Sequence, residues 1–575
     1  MSATKTPKVI YTKLPGWRAS ALFGVLLFGL LGLLGRAVYL QAFHTDFLQE
    51  KGKKRYSRET EVSAHRGMIT DRHGTPLAVS TPVKSVWVNP PRVKASAAQI
   101  SQLARALDMS VSELRRHLFD KKHDYVSLQR HLSPNQAASV EQMAIPGVLL
   151  QREYRRYYPT AEVAAQLIGF TGQDDVGQEG LELSLQAQLV GKSGSRRIIK
   201  DRRGHIVEDV GSLSLPKQGR DVALSIDNDV QYVAYHELEN AVNLHHAKAG
   251  AVVVLDAQTG EVLALANYPA YNPNNRDHVD AQAMRNRAVT DVFEPGSTMK
   301  PFTIATALDA GKVRPDTLIN TQHGVMRIGR KTIHDTHRES SLTVAQVIQK
   351  SSNVGAAKIA LMLDRKTLWQ TFSKSGFGAQ TGSDFPGEAT GKLRDARTWR
   401  PIEQATMSFG HGISVNLLQL ARAYTVFANH GELKPISLLK RDTVAMGQPV
   451  FSRQTAQLLR DMLEMVVKPG GTAPLAQVPG YRVAGKTGTA HKLEDKHYVN
   501  RYVASFVGIA PASAPRVIVA VMIDEPSNGA YYGGIVAAPV FSKVTEAVLH
   551  LLNVPNDAPL NNVIEPPRDV IKEEV

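Results

Sequence analysis

Residues 19–35 (ASALFGVLLFGLLGLLG) run for 17 positions without a charge, and Ala37, Val38, Tyr39 and Leu40 extend the apolar stretch past Arg36. A bilayer span needs about 20 apolar residues, and an arginine near its end can snorkel to the headgroups. The segment therefore predicts a membrane anchor over 19–40. Ahead of it lie Lys5, Lys8, Lys13 and Arg18 with no acidic residue. Basic residues stay on the cytoplasmic side, so the expected orientation puts the N-terminus inside and everything beyond residue 40 outside. A cleavable signal peptide is the competing reading. Its apolar core runs to about 7–15 residues before a small-x-small site, and no A-x-A follows here, which favours an uncleaved anchor.

The anchor changes how charge is read. The chain carries a formal net charge of +15, and its first 60 residues hold ten Lys/Arg against Asp46, Glu50 and Glu59. Much of the excess thus sits where anionic headgroups can take it, each basic residue contributing on the order of 1 kcal/mol. Nucleic-acid binding loses its main support. Absence of cysteine excludes a disulfide scaffold, a thiolate zinc site and a thiol nucleophile, and is silent about compartment. At 575 residues the chain is too long for one core, so two or three folded domains are expected.

The expected organisation is a basic tail over 1–18, the anchor over 19–40 and a polar juxtamembrane stalk over 41–60. A mixed module over 61–220 follows, with an amphipathic stretch at 97–107 and a turn at Arg72-His73-Gly74. A second regime spans 221–553. VALSI reads as a strand, VQYVAYHELENAVNLHH as a long helix, and AGAVVVLDAQTGEVLALAN as a hairpin turning at Gln258-Thr259-Gly260. The tail at 554–575, with four prolines and few large apolar residues, is expected to be loosely held.

The chemistry concentrates in Phe293-Glu294-Pro295-Gly296-Ser297-Thr298-Met299-Lys300-Pro301-Phe302. Pro-Gly ends one element and PFTIATALDA starts a helix, which places Ser297 at a helix N-terminus and Lys300 on the same face. A lysine in a dry, partly cationic site can be neutral and act as base towards a serine hydroxyl. The backbone N–H of Ser297 can meet a developing oxyanion. S-x-x-K also occurs at Ser2/Lys5 and Ser437/Lys440, in a tail and a turn-like stretch. S-x-N occurs at Ser133–Asn135, Ser351–Asn353 and Ser414–Asn416, and K-[ST]-G at Lys192, Lys374 and Lys486. Only Lys486-Thr487-Gly488-Thr489 lies between strand-like segments, YRVAG before it and RYVASFVGIAP after it. Its glycine is expected to leave room for a substrate backbone. Ser351-Ser352-Asn353 opens a helical run and is the preferred middle element. Asn416 reads instead as a helix cap, with 414–416 kept as the fallback.

The ordered set Ser-x-x-Lys, Ser-x-Asn, Lys-Thr-Gly is the serine acyltransferase signature. With it, the chain resembles the class B, high-molecular-mass penicillin-binding proteins, most closely their division-specific septal transpeptidases. His65-Arg66-Gly67 with Asp71-Arg72-His73-Gly74, Arg155-Arg156-Tyr157-Tyr158-Pro159, Gly180-Leu181-Glu182 and Lys200-Asp201-Arg202-Arg203-Gly204 look like the N-terminal module motifs. Ser351-Ser352-Asn353-Val354-Gly355 and Tyr531-Tyr532-Gly533-Gly534 with Ala538-Pro539-Val540-Phe541 look like the division type. The elongation relative is the second reading. The resemblance implies an α/β (α+β) multidomain chain. Its parts are an N-terminal transmembrane helix, an elongated pedestal or dimerisation-type module, and a penicillin-binding transpeptidase domain whose central antiparallel sheet is flanked by helices. It implies a D,D-transpeptidase that cross-links peptidoglycan stem peptides at D-Ala–D-Ala, needs no cofactor or metal and is acylated by β-lactams. Ser297 is then the nucleophile, Lys300 the base, Ser351 a proton relay and Asn353 an orienting amide. Lys486 and Thr487 hold the terminal carboxylate of the substrate, Gly488 lies beside them, and the N–H groups of Ser297 and Thr489 form the oxyanion hole. It further implies the inner membrane, a periplasmic catalytic domain, and a membrane glycosyltransferase and division proteins as partners.

A membrane-bound β-lactamase or β-lactam sensor shares the three elements. The E-x-x-L-N string of class A β-lactamases is absent, and every motif residue is present. His334-x-x-His337 beside Asp335 is read as an accidental pair. His245-His246 is read as a cationic helix end, and Glu153 and Glu182 as structural ion pairs rather than acids of a glycosyltransferase.

Overall fold

The computed structural model describes residues 15–46, 51, 57–62, 64–120, 122–123, 125–200, 206–494 and 497–564. Most of the basic tail, parts of the stalk, the end of the chain and residues 201–204 of the Lys200 motif lie outside them. The chain divides into two compact units, Met1–Ala64 with Lys192–Lys217, and His65–Gly191 with Gln218–Val575.

In the first unit the apolar run forms a helix, Gly16–Val38, continued by a π-helical turn at Tyr39–Phe43. Together they are long and apolar enough to cross a membrane. A three-stranded antiparallel sheet follows, with Gly194–Lys200 between Ser57–Val62 and Ile206–Ser214. This corrects the expected stalk, whose last residues are strand. SRETEV has no run of large apolar side chains, so its ladder partners 132 or more residues away, such as Ile199 opposite Ser57, define it rather than its own pattern.

In the second unit, strand Pro76–Val88 pairs with both Val126–Leu132 and Val148–Tyr157. Ala97–Ala106 is the expected amphipathic helix. Ser96 caps it in a capping box with Gln99, and Ile100 and Leu103 enter a local core with Val86, Leu114 and Val140. At the expected boundary near 220 the two parts share a core. Ile69–Thr70 pairs in parallel with Val222–Ala223, and Ile69 and Leu77 belong to the same core as Leu224 and Ile226. Charge is buried here too. Glu182, fully buried, accepts from Arg66 Nε at 2.8 Å and Arg156 Nε at 2.6 Å.

The largest sheet orders its strands Val262–Tyr268, Ala249–Asp256, Val517–Asp524, His497–Ala510 and Ala484–Glu494, every pair antiparallel. Every residue of Ala249–Asp256 is buried, as expected of a strand covered on both faces. Helices Asn228–Leu244, Ala538–Leu551, Leu417–Ala423 and Arg453–Val467 pack against this sheet. The Asn228–Leu244 helix starts where the Asp227 carboxylate accepts from two backbone N–H groups. It ends at His245, where the cationic tip expected from the sequence meets a correction: burial pushes that imidazole below its ordinary value. Ala484–Glu494 is an edge strand, which leaves one side of its backbone without a strand neighbour in the sheet.

The expected loose tail is pinned as far as residue 564. Asp557 accepts from Arg482 N at 2.7 Å, Asn562 Nδ2 donates to Tyr481 O at 2.9 Å, and Tyr481 OH donates to Val554 O at 2.7 Å. Short polar side chains bonding backbone hold this segment where apolar content could not, just ahead of the edge strand.

Candidate active site

Gly296 takes φ +55°, a conformation open to glycine at no steric cost, and turns the chain into a 3₁₀ segment, Gly296–Met299. Helix Lys300–Asp309 continues it, with Pro301 in the first turn, where its missing N–H is not needed. The turn is fixed from both ends. Thr298 Oγ1 donates to Pro295 O at 2.8 Å, and the buried Tyr424 OH donates to Thr298 O at 2.9 Å. Ser297 is 8% exposed and Lys300 fully buried.

Lys300 Nζ donates to Ser351 Oγ at 3.0 Å and to the Ser351 carbonyl. Lys486 Nζ donates to the same hydroxyl, also at 3.0 Å. Ser351 has φ +61°, uncommon for a residue with a side chain, in the turn between helices Val344–Gln349 and Asn353–Leu361. The neighbouring cap holds it there. Ser352 Oγ accepts from Gly355 N at 2.8 Å and donates to Asp335 Oδ2 at 2.5 Å, while Asp335 Oδ1 accepts from Val354 N at 2.8 Å. Asp335, set aside in the sequence beside an accidental histidine pair, is thus a second cap of this helix. Only its tertiary partners reveal it.

Lys486 is fully buried on the edge strand and also donates to Thr487 Oγ1 at 3.1 Å. Thr487 Oγ1 lies 3.0 Å from Thr472 Oγ1, a residue the motif search missed. Thr489 Oγ1 accepts from Gly533 N at 3.0 Å, which ties the Tyr-Tyr-Gly-Gly segment to the strand. The expected reason for Gly488 needs correction. A Cβ there would lie 2.5 Å from Ser505 Oγ, 2.8 Å from Pro295 O and 3.0 Å from Thr298 Cγ2. The missing side chain makes room for the Ser297 turn to pack on the strand, not for substrate. Asn353 begins its helix, donates to His334 O at 3.4 Å, and lines a cleft of about 890 Å³ with His411 and Tyr498.

His411 and Tyr498 on this cleft stand with a third group, Glu294, which Tyr498 bonds. Glu294, three residues before Ser297, accepts from Gly412 N at 2.8 Å and Tyr498 OH at 3.0 Å. Burial pushes its carboxyl above the usual range despite those donors. Burial also pushes His411 down to about 4. Burial raises Tyr498, and the Glu294 carboxylate adds to the effect. A glutamate in F-E-P-G-S was visible in the sequence; its partners at 412 and 498 were not.

The other copies of each motif go elsewhere. Asn416 caps helix Leu417–Ala423 in a box with Gln419, as read from the sequence. Lys374 ends helix Arg365–Lys374, and Lys440 Nζ donates to Arg72 O. The sequence-selected set, Ser297, Lys300, Ser351, Asn353, Lys486, Thr487, Gly488 and Thr489, comes together at one end of the edge strand. The chemistry available is a serine at a helix start, two buried amines sharing one hydroxyl, and a strand at the edge of its sheet.

Residues 250–546 match the penicillin-binding protein transpeptidase domain family, and residues 61–224 the penicillin-binding protein dimerisation domain family. The chain is 45% identical over 534 residues to a probable peptidoglycan D,D-transpeptidase, PenA, of Neisseria meningitidis, covering 92% of each chain. It is 43% identical over 550 residues to the peptidoglycan D,D-transpeptidase FtsI of Escherichia coli, covering 94% of this chain and 93% of the relative. The solved transpeptidase domain of Burkholderia pseudomallei penicillin-binding protein 3 is 49% identical, with TM-score 0.55, and covers 58% of this chain and 98% of that one.

Proposed function

The chain belongs to the penicillin-binding proteins that act as peptidoglycan D,D-transpeptidases, and on that premise we propose how its own residues carry the reaction and where it takes place. One observation carries the assignment: Lys300 Nζ and Lys486 Nζ each stand 3.0 Å from Ser351 Oγ, beside the turn that bears Ser297. Burial and like charge both disfavour two ammonium groups on one hydroxyl. Lys300 is the neutral partner and takes the Ser297 proton as Oγ attacks the D-Ala–D-Ala carbonyl. An ester to Ser297 forms. The scissile C–N bond breaks, and the departing D-Ala amine receives its proton through Ser351.

Lys486 remains cationic, and with the Thr487 and Thr489 hydroxyls it holds the terminal carboxylate of the donor peptide. The open edge of strand Ala484–Glu494 takes that peptide as an added strand, so that main-chain bonds align the carbonyl. The backbone N–H groups of Ser297 and Thr489 receive the oxyanion, each such donor contributing about 3–4 kcal/mol to the barrier reduction. An amine of a second stem peptide then displaces the ester. Water in its place gives the carboxypeptidase side reaction. A β-lactam presents the same amide in a ring and leaves Ser297 acylated.

The helix Gly16–Val38 anchors the chain in the inner membrane, the basic tail inside and the catalytic domain in the periplasm. The site of action is the division septum, a reading supported by the E. coli relative, with a membrane glycosyltransferase and division proteins alongside. Mass spectrometry of the full chain after penicillin treatment tests the assignment. One adduct is expected, on the peptide containing Ser297, and an adduct on any other serine refutes the nucleophile.

A further inference from the structure

The cleft of about 890 Å³ that Asn353, His411 and Tyr498 line is also walled by a hairpin, Val325–Ile328 paired with Lys331–His334. Gly329 takes φ +59° in its two-residue turn, a conformation that matches the twist of the paired strands. The hairpin is fixed to the helix that follows Ser351. Ile333 is buried in a small core with Val354, Ala357 and Phe409, and Asp335, next after the hairpin, caps helix Asn353–Leu361. A second wall is fixed to the nucleophile. Phe409, His411 and Gly412 line the cleft, and a Cβ at Gly410 between them would lie 2.2 Å from Gly296 O, so this loop packs on the turn that bears Ser297. Apolar contact is supplied by Ile328, Ile333, Ile402 and Phe409. The charge is one-sided. Among the described residues, Glu403 is the one carboxylate on these walls, and Arg400 Nε donates to it at 2.8 Å. Arg330 and Lys331, both exposed at the hairpin turn, line the same cleft and make no ion pair among the described residues.

No residue of the edge strand Ala484–Glu494 lines this cleft. The donor peptide, read as an added strand on that edge, leaves it to a second chain. A transpeptidase needs such a place, because an amine has to reach the Ser297 ester while the donor is still covalently held. A ligand that fits here has apolar carbon for the isoleucines and carboxylates for two unpaired cations. We propose that this cleft binds the acceptor stem peptide, its amine beside Asn353 and its free carboxylates at Arg330 and Lys331. The acceptor nitrogen bonds the ester carbon and the bond from that carbon to Ser297 Oγ breaks. The proton lost by the nitrogen returns to Oγ through Lys300. Naming the ligand as a stem peptide rests on the transpeptidase reading; the apolar wall and the cationic turn do not.

The test follows the acyl-enzyme of the full-length protein in detergent. A thioester of a donor peptide acylates Ser297, and chromatography measures how the ester divides between transfer to an added acceptor and hydrolysis. The acceptors are a stem tripeptide ending in diaminopimelate and the same peptide with its carboxylates amidated. At low salt the free acid is expected to give about fivefold more transfer per hydrolysis than the amide, the range for two exposed ion pairs. The preference should shrink as salt screens it. Arg330→Ala with Lys331→Ala in one chain should remove the preference, and Arg330→Glu with Lys331→Glu should reverse it. In both, penicillin acylation and the melting temperature should stay as they were, since the two side chains lie outside the acylation machinery. Equal transfer to both acceptors, zero included, or a preference kept in the alanine variant, overturns the proposal. A variant that loses acylation by the thioester and keeps the acceptor preference gives the cleft to the donor and overturns it too. Failure of penicillin to modify Ser297 is seen separately by mass and counts against the transpeptidase reading. Calorimetric titration with the free-acid tripeptide then decides the cleft by itself: binding weakened about fivefold in the alanine variant keeps the site, and unchanged or absent binding removes it.

Discussion

Two buried charge clusters in this molecule differ in one respect, the balance of sign. In the first, the Glu182 carboxylate lies between Arg66 and Arg156, and each guanidinium also bonds a further acceptor, Gln186 for one and Ser80 for the other. In the second, two buried lysines converge on the hydroxyl of Ser351. The compensated cluster, with a carboxylate between its two guanidinium groups, acts as a structural joint. The second brings two amines to one hydroxyl, and in the proposed mechanism one of them, Lys300, serves as the base. Burial alone does not separate structural from reactive charge; the sign of the neighbours does.

Removing the nucleophile breaks the contrast most completely. Ser297→Ala should abolish the penicillin adduct by mass spectrometry while leaving the thermal unfolding curve in place, because a small hydroxyl is lost from a turn held by Thr298 and Tyr424. A retained adduct assigns the ester elsewhere. Next, Lys300→Ala should slow acylation by about 10²–10⁴-fold in a stopped-flow assay, the range of a general base. An unchanged rate places the base on another group.

The compensated cluster should respond in the opposite currency. Glu182→Ala leaves two buried guanidinium groups without their carboxylate and should lower unfolding free energy by about 3–5 kcal/mol in denaturant titration. A loss below 1 kcal/mol would mean water reaches the arginines. The smallest effect is expected at the edge of the reactive cluster. His411, ordinarily near 6.5, is held at about 4 in the folded chain. The unfolded chain therefore binds the proton more readily across that window, and stability should fall as pH drops from 6.5 towards 4, by about 2–3 kcal/mol in all. His411→Gln should flatten that part of the pH–stability curve. A curve of the same shape in the variant transfers the effect to another group.

How far the sequence could be read varied with the range of the signal. Pro295-Gly296-Ser297 before an apolar helical run showed where Ser297 would sit, because Pro-Gly and periodicity act locally. Asn416 was readable as a cap for the same reason. The strand Ser57–Val62 was not, because its partners lie far along the chain and its residues carry no apolar alternation. The tail up to residue 564 was misread because Asp557 and Asn562 hold it through backbone groups at 480–482, a bond that composition does not express. The reason for Gly488 was misjudged, since what fills the space beside it is Ser505 and the Pro295–Thr298 turn.

By itself the sequence determined the apolar helix, the three short motifs and their order, since each depends on residues a few positions apart. Tertiary structure alone decided that Ser351 would be the meeting point of two amines, that Asp335 would hold its turn, and that Glu294 would bond Tyr498 beside His411. Those facts depend on distances between residues 17 to 204 positions apart along the chain. Such distances are set by how the edge strand, the serine helix and the Asn353 helix pack around a common core, and no local pattern encodes that packing.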